Sequence, residues 1–367
     1  MDFKNQLRVL MGNKNLTINQ QLSSVKKTID SGNYREAIKS YPSLASALTK
    51  DAFFATLSDI RLRSPFHFSG DFKKEFRWII MIIEKYFEQI NSFIDLKTSF
   101  ETKVIEGNYT TAKQILTNIE AQFGITLWSV ESNLLLDELI VGSEGNWSKL
   151  SFYLTHVNHL VYEFVASSGS KRVESKLTYE SFFSQFQNDL DHVVMPAFLK
   201  DFFVFRNLST SKYDYEYPTL EGVIYTANSL SVIDQYLILV DVIIYNIART
   251  KDLDKILLPF ITKAKDTIRY DFRLTNIFNT ISQNTYQATE DSEIMLECLN
   301  SYYSGNFTKS LELSKTLIAN FPLEYEPYEV YSKSLLNLDI EFQPLNISPI
   351  FDELLQNTYF VLSFKKQ

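Results

Sequence analysis

The tripeptide Gly107-Asn108-Tyr109 separates two stretches of helical character, and the motif it exemplifies sets the expected fold. After it, apolar residues fall at positions 112, 115, 116 and 119, which is one face of a helix. Four further copies of this glycine–Asn/Asp–aromatic motif are Gly32-Asn33-Tyr34, Gly70-Asp71-Phe72, Gly145-Asn146-Trp147 and Gly305-Asn306-Phe307. The first four copies along the chain are 38, 37 and 38 residues apart, and the motif uses half of the 10 glycines. A fixed period of this length predicts stacked pairs of helices.

The motif also predicts the turn inside each pair. Glycine ends the first helix at low steric cost because it tolerates positive φ. The Asn or Asp that follows caps the second helix through its side-chain oxygen. The aromatic side chain then packs back on the first helix, so we expect a helical hairpin at each copy.

These features resemble the tetratricopeptide repeat, a family that opens its second helix with Gly-(Asp/Asn)-Tyr and has a small residue three positions after the aromatic. Three copies have that small residue, as Ala37, Ala112 and Ser310. Phe321-Pro322 stands where the family often has a closing proline. The period exceeds the family's value of about 34 residues, and Glu75 and Leu150 replace the small residue in the other two copies. The resemblance, over roughly residues 15–165 and 290–340, is therefore that of a divergent relative.

Composition favours an all-α class, because the 367 residues include 9 prolines and show little β-branched alternation. We expect an α-solenoid of helical hairpins, with a period of 37–38 and a divergent helical middle region. Its parts would be repeats over 1–166, the divergent region over 167–290, and a hairpin with a capping helix (Phe351 to Phe364) over 291–367. The polar stretch from Ser167 to Arg172 is the predicted joint between the first two parts.

Charge and segment composition exclude several classes of protein. The net charge of −8 argues against direct non-specific binding of nucleic acid, which requires a basic surface. The single cysteine, Cys298, fits a reducing compartment. The N-terminus lacks the order of a signal peptide, and the most apolar run, Leu230 to Ala248, contains Asp234 and Asp241. We therefore expect a cytoplasmic protein without a membrane segment.

Aromatic residues are concentrated between positions 178 and 206, which we predict to be one helix. Its phenylalanines, predicted to lie in the core, are Phe182, Phe183, Phe186, Phe198, Phe202, Phe203 and Phe205. A loop follows in which Tyr213, Tyr215 and Tyr217 alternate with acidic residues. These tyrosines fit either an interaction surface or a solvated loop.

Three histidines are the candidates for a metal site. His156 and His159 are three residues apart on a predicted helix from Ser148 to Phe164, so their side chains would converge. His192, near Asp189 and Asp191, would supply further ligands. The alternative is that His156 and His159 are partly buried on an amphipathic helix and hydrogen-bonded locally. A pair at this spacing is a weak motif, and we assign no metal ligand.

Cys298 is the candidate nucleophile, yet its position favours a structural role. It lies seven residues before Gly305, at the small-residue position of the family's first helix, where a cysteine serves as a small hydrophobe. The sequence also lacks a phosphate-binding glycine loop, a Gly-x-Ser-x-Gly elbow and a His-Glu-x-x-His motif. We predict a non-enzymatic protein with no catalytic, cofactor-binding or metal residues and no cofactor.

The resemblance implies a groove, lined largely by the first helix of each pair, that holds a partner protein or peptide. The expected function is that of a scaffold, adaptor or regulatory subunit. One alternative is a ligand- or peptide-responsive sensor that controls a separate effector chain. Another is a metal-dependent enzyme that uses His156, His159 and His192.

Overall fold

In the computed structural model, all regular elements of the described residues are helical. The structure describes residues 3–13, 15–49, 52–60, 69, 71–174, 177, 179–208, 219–249, 254–282, 290–320, 325–345, 355–356 and 359. The prediction of an all-α protein is confirmed. Within these residues no helix is both long and apolar enough to cross a membrane.

The chain divides into two compact units, Met1–Ile281 and Ser282–Gln367. The first half of the first unit contains α1 (Phe3–Gly12), α2 (Ile18–Thr28), α3 (Tyr34–Ser40), α4 (Pro42–Thr49), α5 (Phe72–Ile83), α6 (Phe87–Ile105), α7 (Tyr109–Phe123) and α8 (Leu127–Val141). Its second half contains α9 (Ser143–His156), α10 (Leu160–Val173), α11 (Tyr179–His192), α12 (Ala197–Leu208), α13 (Leu220–Ala227), α14 (Val232–Arg249), α15 (Asp254–Thr267) and α16 (Phe272–Ser282). The second unit contains α17 (Glu290–Tyr303), α18 (Phe307–Asn320) and α19 (Tyr325–Asn337).

Helices α6 and α7 form the hairpin that the motif predicts. Gly107 ends the first helix with φ of 72°. The side-chain oxygen of Asn108 accepts a hydrogen bond from the backbone N–H of Thr111 at 3.2 Å, which caps α7. Ala112 is fully buried, and Tyr109 packs against the core. Each residue of the motif therefore has its expected role here.

Helices α8 and α9 also pack on each other, but their turn lies three residues before the predicted one. Gly142, with φ of 86°, is the residue between the two helices. Gly145 lies in the first turns of α9, Asn146 is buried, and Trp147 is exposed. The prediction that Gly145 ends a helix, that Asn146 caps the next one and that Trp147 closes the hairpin is wrong.

Two further boundaries differ from the predictions. The stretch from Ser167 to Arg172, predicted as a joint, lies inside α10, where Ser168, Gly169 and Ser170 are buried. Residues 178–206, predicted as one helix, include two, α11 and α12. The prediction that this segment supplies core phenylalanines is confirmed, since Phe182, Phe186, Phe202, Phe203 and Phe205 are buried and Phe183 and Phe198 pack against the core.

Helices from the second half of the first unit pack on those of its first half. Helices α13 and α14 contact α5, whose segment Trp78 to Ile83 is buried throughout. Helix α6 contacts α14 and α15. The start of α14 is also tied to the non-helical segment after α4, because the N–H of Val232 donates to the carbonyl oxygen of Ala52 at 2.9 Å.

The second unit repeats the motif as a hairpin of α17 and α18, on which α19 packs. Gly305 has φ of 78°, and the Asn306 side chain accepts a hydrogen bond from the N–H of Lys309 at 3.3 Å. Cys298 is buried where the two helices meet, and its Sγ donates to the carbonyl oxygen of Ser310 at 3.4 Å. Its position in the structure is that of the small hydrophobe that the sequence predicts.

Several sequence predictions fall outside the described residues. These are Gly70, the tyrosines Tyr213, Tyr215 and Tyr217, the Phe321-Pro322 pair, and most of the helix from Phe351 to Phe364.

Candidate functional site

The sequence predicts a groove lined largely by the first helix of each pair, and in the α6–α7 and α8–α9 pairs of the structure those helices are α6 and α8. In the structure these helices contact other helices of the same unit. Helix α6 packs against α14 and α15, while side chains of α8 and α10 bind side chains of α12 and α14. A substantial part of the expected groove-lining surface is therefore covered by the chain itself.

A cleft of about 210 Å³ lies between these helices. Glu131 comes from α8 and Arg172 from α10. The remaining lining residues come from α12 and α14 and are Phe202, Phe205, Arg206, Ile238 and Asp241. The cleft thus has two arginines, two carboxylates and an apolar wall.

Glu131 is the centre of the charges in the cleft. It accepts a hydrogen bond from Nη2 of Arg172 at 2.8 Å and one from Nη2 of Arg206 at 2.5 Å. Burial acts to raise the pKa of Glu131, but the two arginines outweigh it and hold that pKa below its usual value. The Nε of Arg206 is buried and has no hydrogen-bond partner among the described residues. A buried donor without an acceptor costs about 1–3 kcal/mol.

Asp241 is the second carboxylate of the cleft. Its Oδ1 lies 3.4 Å from Nη1 of Arg273, which also binds Asp271. The pKa of Asp241 is raised by desolvation, against the opposing effect of Arg273 and Arg206. Because its side chain is half exposed, this carboxylate remains accessible to solvent.

Asp234 joins α14 to the starts of both α8 and α10. Its Oδ1 accepts a hydrogen bond from the N–H of Leu127 at 2.9 Å, and its Oδ2 accepts from the hydroxyls of Tyr162 at 3.3 Å and Ser231 at 2.8 Å. Burial raises the pKa of this carboxyl group to about 6, although the hydrogen bonds favour its charged form. The sequence predicts that the helix containing Asp234 is buried, but it does not reveal these partners.

Glu75, which occupies the position of the small repeat residue, has a buried partner in Lys26. Its oxygens also accept hydrogen bonds from the N–H of Ser69 at 2.9 Å and from Nδ2 of Asn228 at 3.0 Å. Burial lowers the pKa of Lys26, while Glu75 acts to raise it. This pairing explains why a glutamate is tolerated where the family has a small side chain.

The three candidate histidines lie in separate local environments. The predicted helix from Ser148 to Phe164 is interrupted, so that His156 ends α9 and His159 is the N-cap of α10. His156 is exposed and its Nδ1 lies 2.8 Å from the carbonyl oxygen of Phe152, while Nδ1 of His192 lies 2.8 Å from that of Asn188. His159 is buried, which lowers its pKa.

In the described part of the chain, no three His, Cys, Asp or Glu side chains form a group that could hold a metal ion. The expectation that His156 and His159 converge on one helix is wrong, because residues 157–159 separate α9 from α10. The local hydrogen bond predicted for His156 is present, but that side chain is exposed rather than partly buried. His192 also bonds to the backbone of its own helix.

An exposed apolar surface on the α8–α9 hairpin was not anticipated from the sequence. We call it the α8–α9 surface; its large exposed side chains are Leu139, Ile140, Val141, Trp147, Phe152 and Leu154. Trp147 and Leu154 are seven residues apart and therefore share one face of α9. The apolar run at residues 139–141, ending directly at a glycine, was the available signal in the sequence.

Comparison with family models, with curated proteins and with solved structures finds no match to this chain.

Proposed function

We propose that this protein is a non-enzymatic scaffold, adaptor or regulatory subunit, built as a divergent tetratricopeptide-like α-solenoid, that binds a partner protein. The packed helix pairs and the recurring motif support the solenoid. The observation that carries the proposal is the number of large apolar side chains exposed on the α8–α9 hairpin, because an accumulation of exposed apolar side chains is typical of a site of interaction. Tryptophan is among the residues that contribute most to protein–protein affinity.

The coverage of α6 and α8 by the chain's own helices moves the proposed partner site away from the expected groove. Helix α9 exposes Trp147 and Leu154 on one side. On another side it exposes Phe152, whose ring centroid lies 4.4 Å from that of His156. Apolar anchors at helical spacing suit the apolar face of an amphipathic helix. We therefore take the partner segment to be such a helix, supplied by another protein.

The test is affinity capture of the tagged protein from its native cell, with a surface variant and a matched control. The surface variant carries Trp147→Ser and Leu154→Ser, at side chains that are 57% and 46% exposed. The control carries Ile105→Ser and Phe272→Ser, at side chains of similar exposure (63% and 55%) outside the surface. Exposed substitutions of this kind change stability by no more than about 0.5 kcal/mol, so both variants should fold.

We expect wild type and control to retain one protein in stoichiometric amount and the surface variant to lose it. Equal retention by both variants would contradict the assignment of the surface. If the molecular mass from light scattering instead showed a dimer that only the surface variant disrupts, the occupant would be a second copy and the adaptor proposal would fail.

A further inference from the structure

The cleft between α8, α10, α12 and α14 contains charged groups that no step of the proposed partner binding uses. We propose that it binds a free amino acid with an apolar side chain. The carboxylate of the ligand would bind Arg172 and Arg206, its ammonium group would face Asp241, and its side chain would lie on Phe202, Phe205 and Ile238.

The charge of the cleft favours a zwitterion over a simple anion. Its described lining has two arginines balanced by two carboxylates, so the formal charges sum to zero. A phosphate or other anion would leave an excess of negative charge, whereas an amino acid adds one charge of each sign. The arginines and Asp241 lie on different helices, which supplies separate positions for the two charged ends.

The arginines retain capacity to donate. A guanidinium has five N–H groups, and each arginine uses its Nη2 on Glu131. The buried Nε of Arg206 has no acceptor among the described residues. Two parallel N–H groups of an arginine match the geometry of a carboxylate.

The size of the cleft limits the ligand. A volume of about 210 Å³ corresponds to about seven water molecules at about 30 Å³ each. This is smaller than the range of about 300–1,000 Å³ typical of drug-sized ligands. It fits an amino acid, whose apolar side chain would contact the phenylalanine wall. A longer peptide would extend beyond the cleft.

A bound amino acid would contact α10 on one side and α12 and α14 on the other. Because α10 and α14 are already joined through Tyr162 and Asp234, the ligand would stabilise that packing. Stabilisation follows from binding to the folded state alone and increases with ligand concentration. This would place the chain among proteins that sense a small molecule, and it does not depend on the α8–α9 surface.

The test is isothermal titration calorimetry of the full-length chain with each of the twenty common amino acids at millimolar concentration. We expect an apolar amino acid such as L-leucine or L-phenylalanine to bind. For L-leucine the matched probes are L-leucinamide, which lacks the carboxylate, and 4-methylpentanoate, which lacks the ammonium group; the amide and deaminated acid of L-phenylalanine serve likewise. Each should bind at least about tenfold more weakly, since a hydrogen bond to a charged group contributes about 1.5–3 kcal/mol.

Substitutions of residues that line the cleft test whether the amino acid binds there. Asp241→Asn and Arg172→Gln change partly exposed side chains and should each weaken binding at least about tenfold. The control is Asp266→Asn, an exposed carboxylate outside the cleft, which should bind like wild type. Circular dichroism checks that each variant is folded.

Absence of binding by all twenty amino acids would overturn the inference. So would equal binding of 4-methylpentanoate or inorganic phosphate, which would indicate a simple anion site, or equal weakening by Asp266→Asn. The variants of the α8–α9 surface should bind the amino acid normally, which separates this test from that of partner binding.

Discussion

The α6–α7 and α8–α9 hairpins contain the same glycine–asparagine–aromatic pattern but use it in different ways. In the first, Gly107 takes positive φ, Asn108 caps α7 and Tyr109 packs against the core. In the second, Gly142 takes positive φ instead, and the whole motif lies within α9. In α9 the motif does not cap the helix, because Gly142 has already ended the preceding one.

The displaced motif of α9 has structural roles of a different kind. A Cβ on Gly145 would lie 2.8 Å from the carbonyl oxygen of Asp137 and 2.6 Å from Cβ of Val141, so this glycine permits close packing of α8 on α9. Asn146 is buried, and its Nδ2 donates to the carbonyl oxygen of Ser170 at 3.0 Å, which joins α9 to α10. Trp147 is left on the surface.

The largest expected change in the free energy of unfolding comes from replacing the motif asparagine by aspartate, compared at Asn108 and at Asn146. At Asn108 a carboxylate caps a helix as well as an amide does, so Asn108→Asp should change the free energy of unfolding by no more than about 0.5 kcal/mol. At Asn146 it would bury a charge opposite the Ser170 carbonyl oxygen, with a loss of about 3–5 kcal/mol. Urea unfolding followed by tryptophan fluorescence measures both, since all three tryptophans (Trp78, Trp128 and Trp147) lie in the first unit. Similar losses at the two positions would refute the distinction.

Replacement by asparagine should lower the free energy of unfolding much less at Gly107 than at Gly145. Asparagine tolerates the left-handed conformation, and a Cβ at Gly107 meets no described atom within 4 Å, so Gly107→Asn should cost no more than about 0.5 kcal/mol. Gly145→Asn would overpack the α8–α9 contact and should cost about 3 kcal/mol. The same fluorescence assay applies; a greater loss at Gly107 would mean that Gly145 has no packing role.

The first residue of α8, Leu127, donates its N–H to the buried carboxylate of Asp234, so the stability of the α8–α9 hairpin should depend on pH. The folded-state pKa of Asp234, about 6, lies above its ordinary value of 3.8, so the folded protein binds this proton more tightly than the unfolded chain. Protonation of Asp234 therefore increasingly stabilises the folded protein as the pH falls through 6.

When the pH is lowered from 7 to 5, the free energy of unfolding of wild type should rise by about 1.3 kcal/mol relative to that of Asp234→Asn. The amide keeps an oxygen for the N–H of Leu127 but does not titrate. Urea unfolding at several pH values measures the difference. Parallel pH profiles for the two proteins would show that Asp234 is not the titrating group.

The smallest expected change in stability comes from the aromatic residue of the motif, compared at Tyr109 and at Trp147. Tyr109→Ala should cost about 1 kcal/mol, because this side chain is partly buried against the core. Trp147→Ala should change stability by no more than about 0.5 kcal/mol, because that side chain is mostly exposed. Circular dichroism during urea unfolding is the measurement here, since one variant lacks a tryptophan. A greater loss for Trp147→Ala would indicate that it packs within the hairpin.

Local patterns in the sequence predicted the features that local physics controls. The all-α class, the turn at Gly107, and the buried positions of Ala112 and Cys298 each depend on residues close in sequence. The turn at Gly145 was mispredicted because Gly142 lies only three residues earlier, and only the packing of α8 on α9 decides between them.

Features that depend on distant residues could not be predicted. The stretch from Ser167 to Arg172 has the composition of a joint, yet it is helical because α9 packs on it and Asn146 bonds to Ser170. The cleft combines Glu131, Arg172, Arg206 and Asp241 from four helices. No spacing between these positions indicates that they meet, since the approach of α12 and α14 to α8 and α10 is a property of the folded chain.

The bond between Glu75 and Asn228 spans 153 positions, and this separation affects how the protein is made. At a synthesis rate of about 5–20 residues per second, on the order of ten seconds or more passes before Asn228 follows Glu75 out of the ribosome. Helices α13 and α14 arrive equally late, so the side of α5 that they cover stays open to water in the meantime. The side of α5 that α13 and α14 cover is therefore exposed to aggregation, or to a chaperone, mainly during translation.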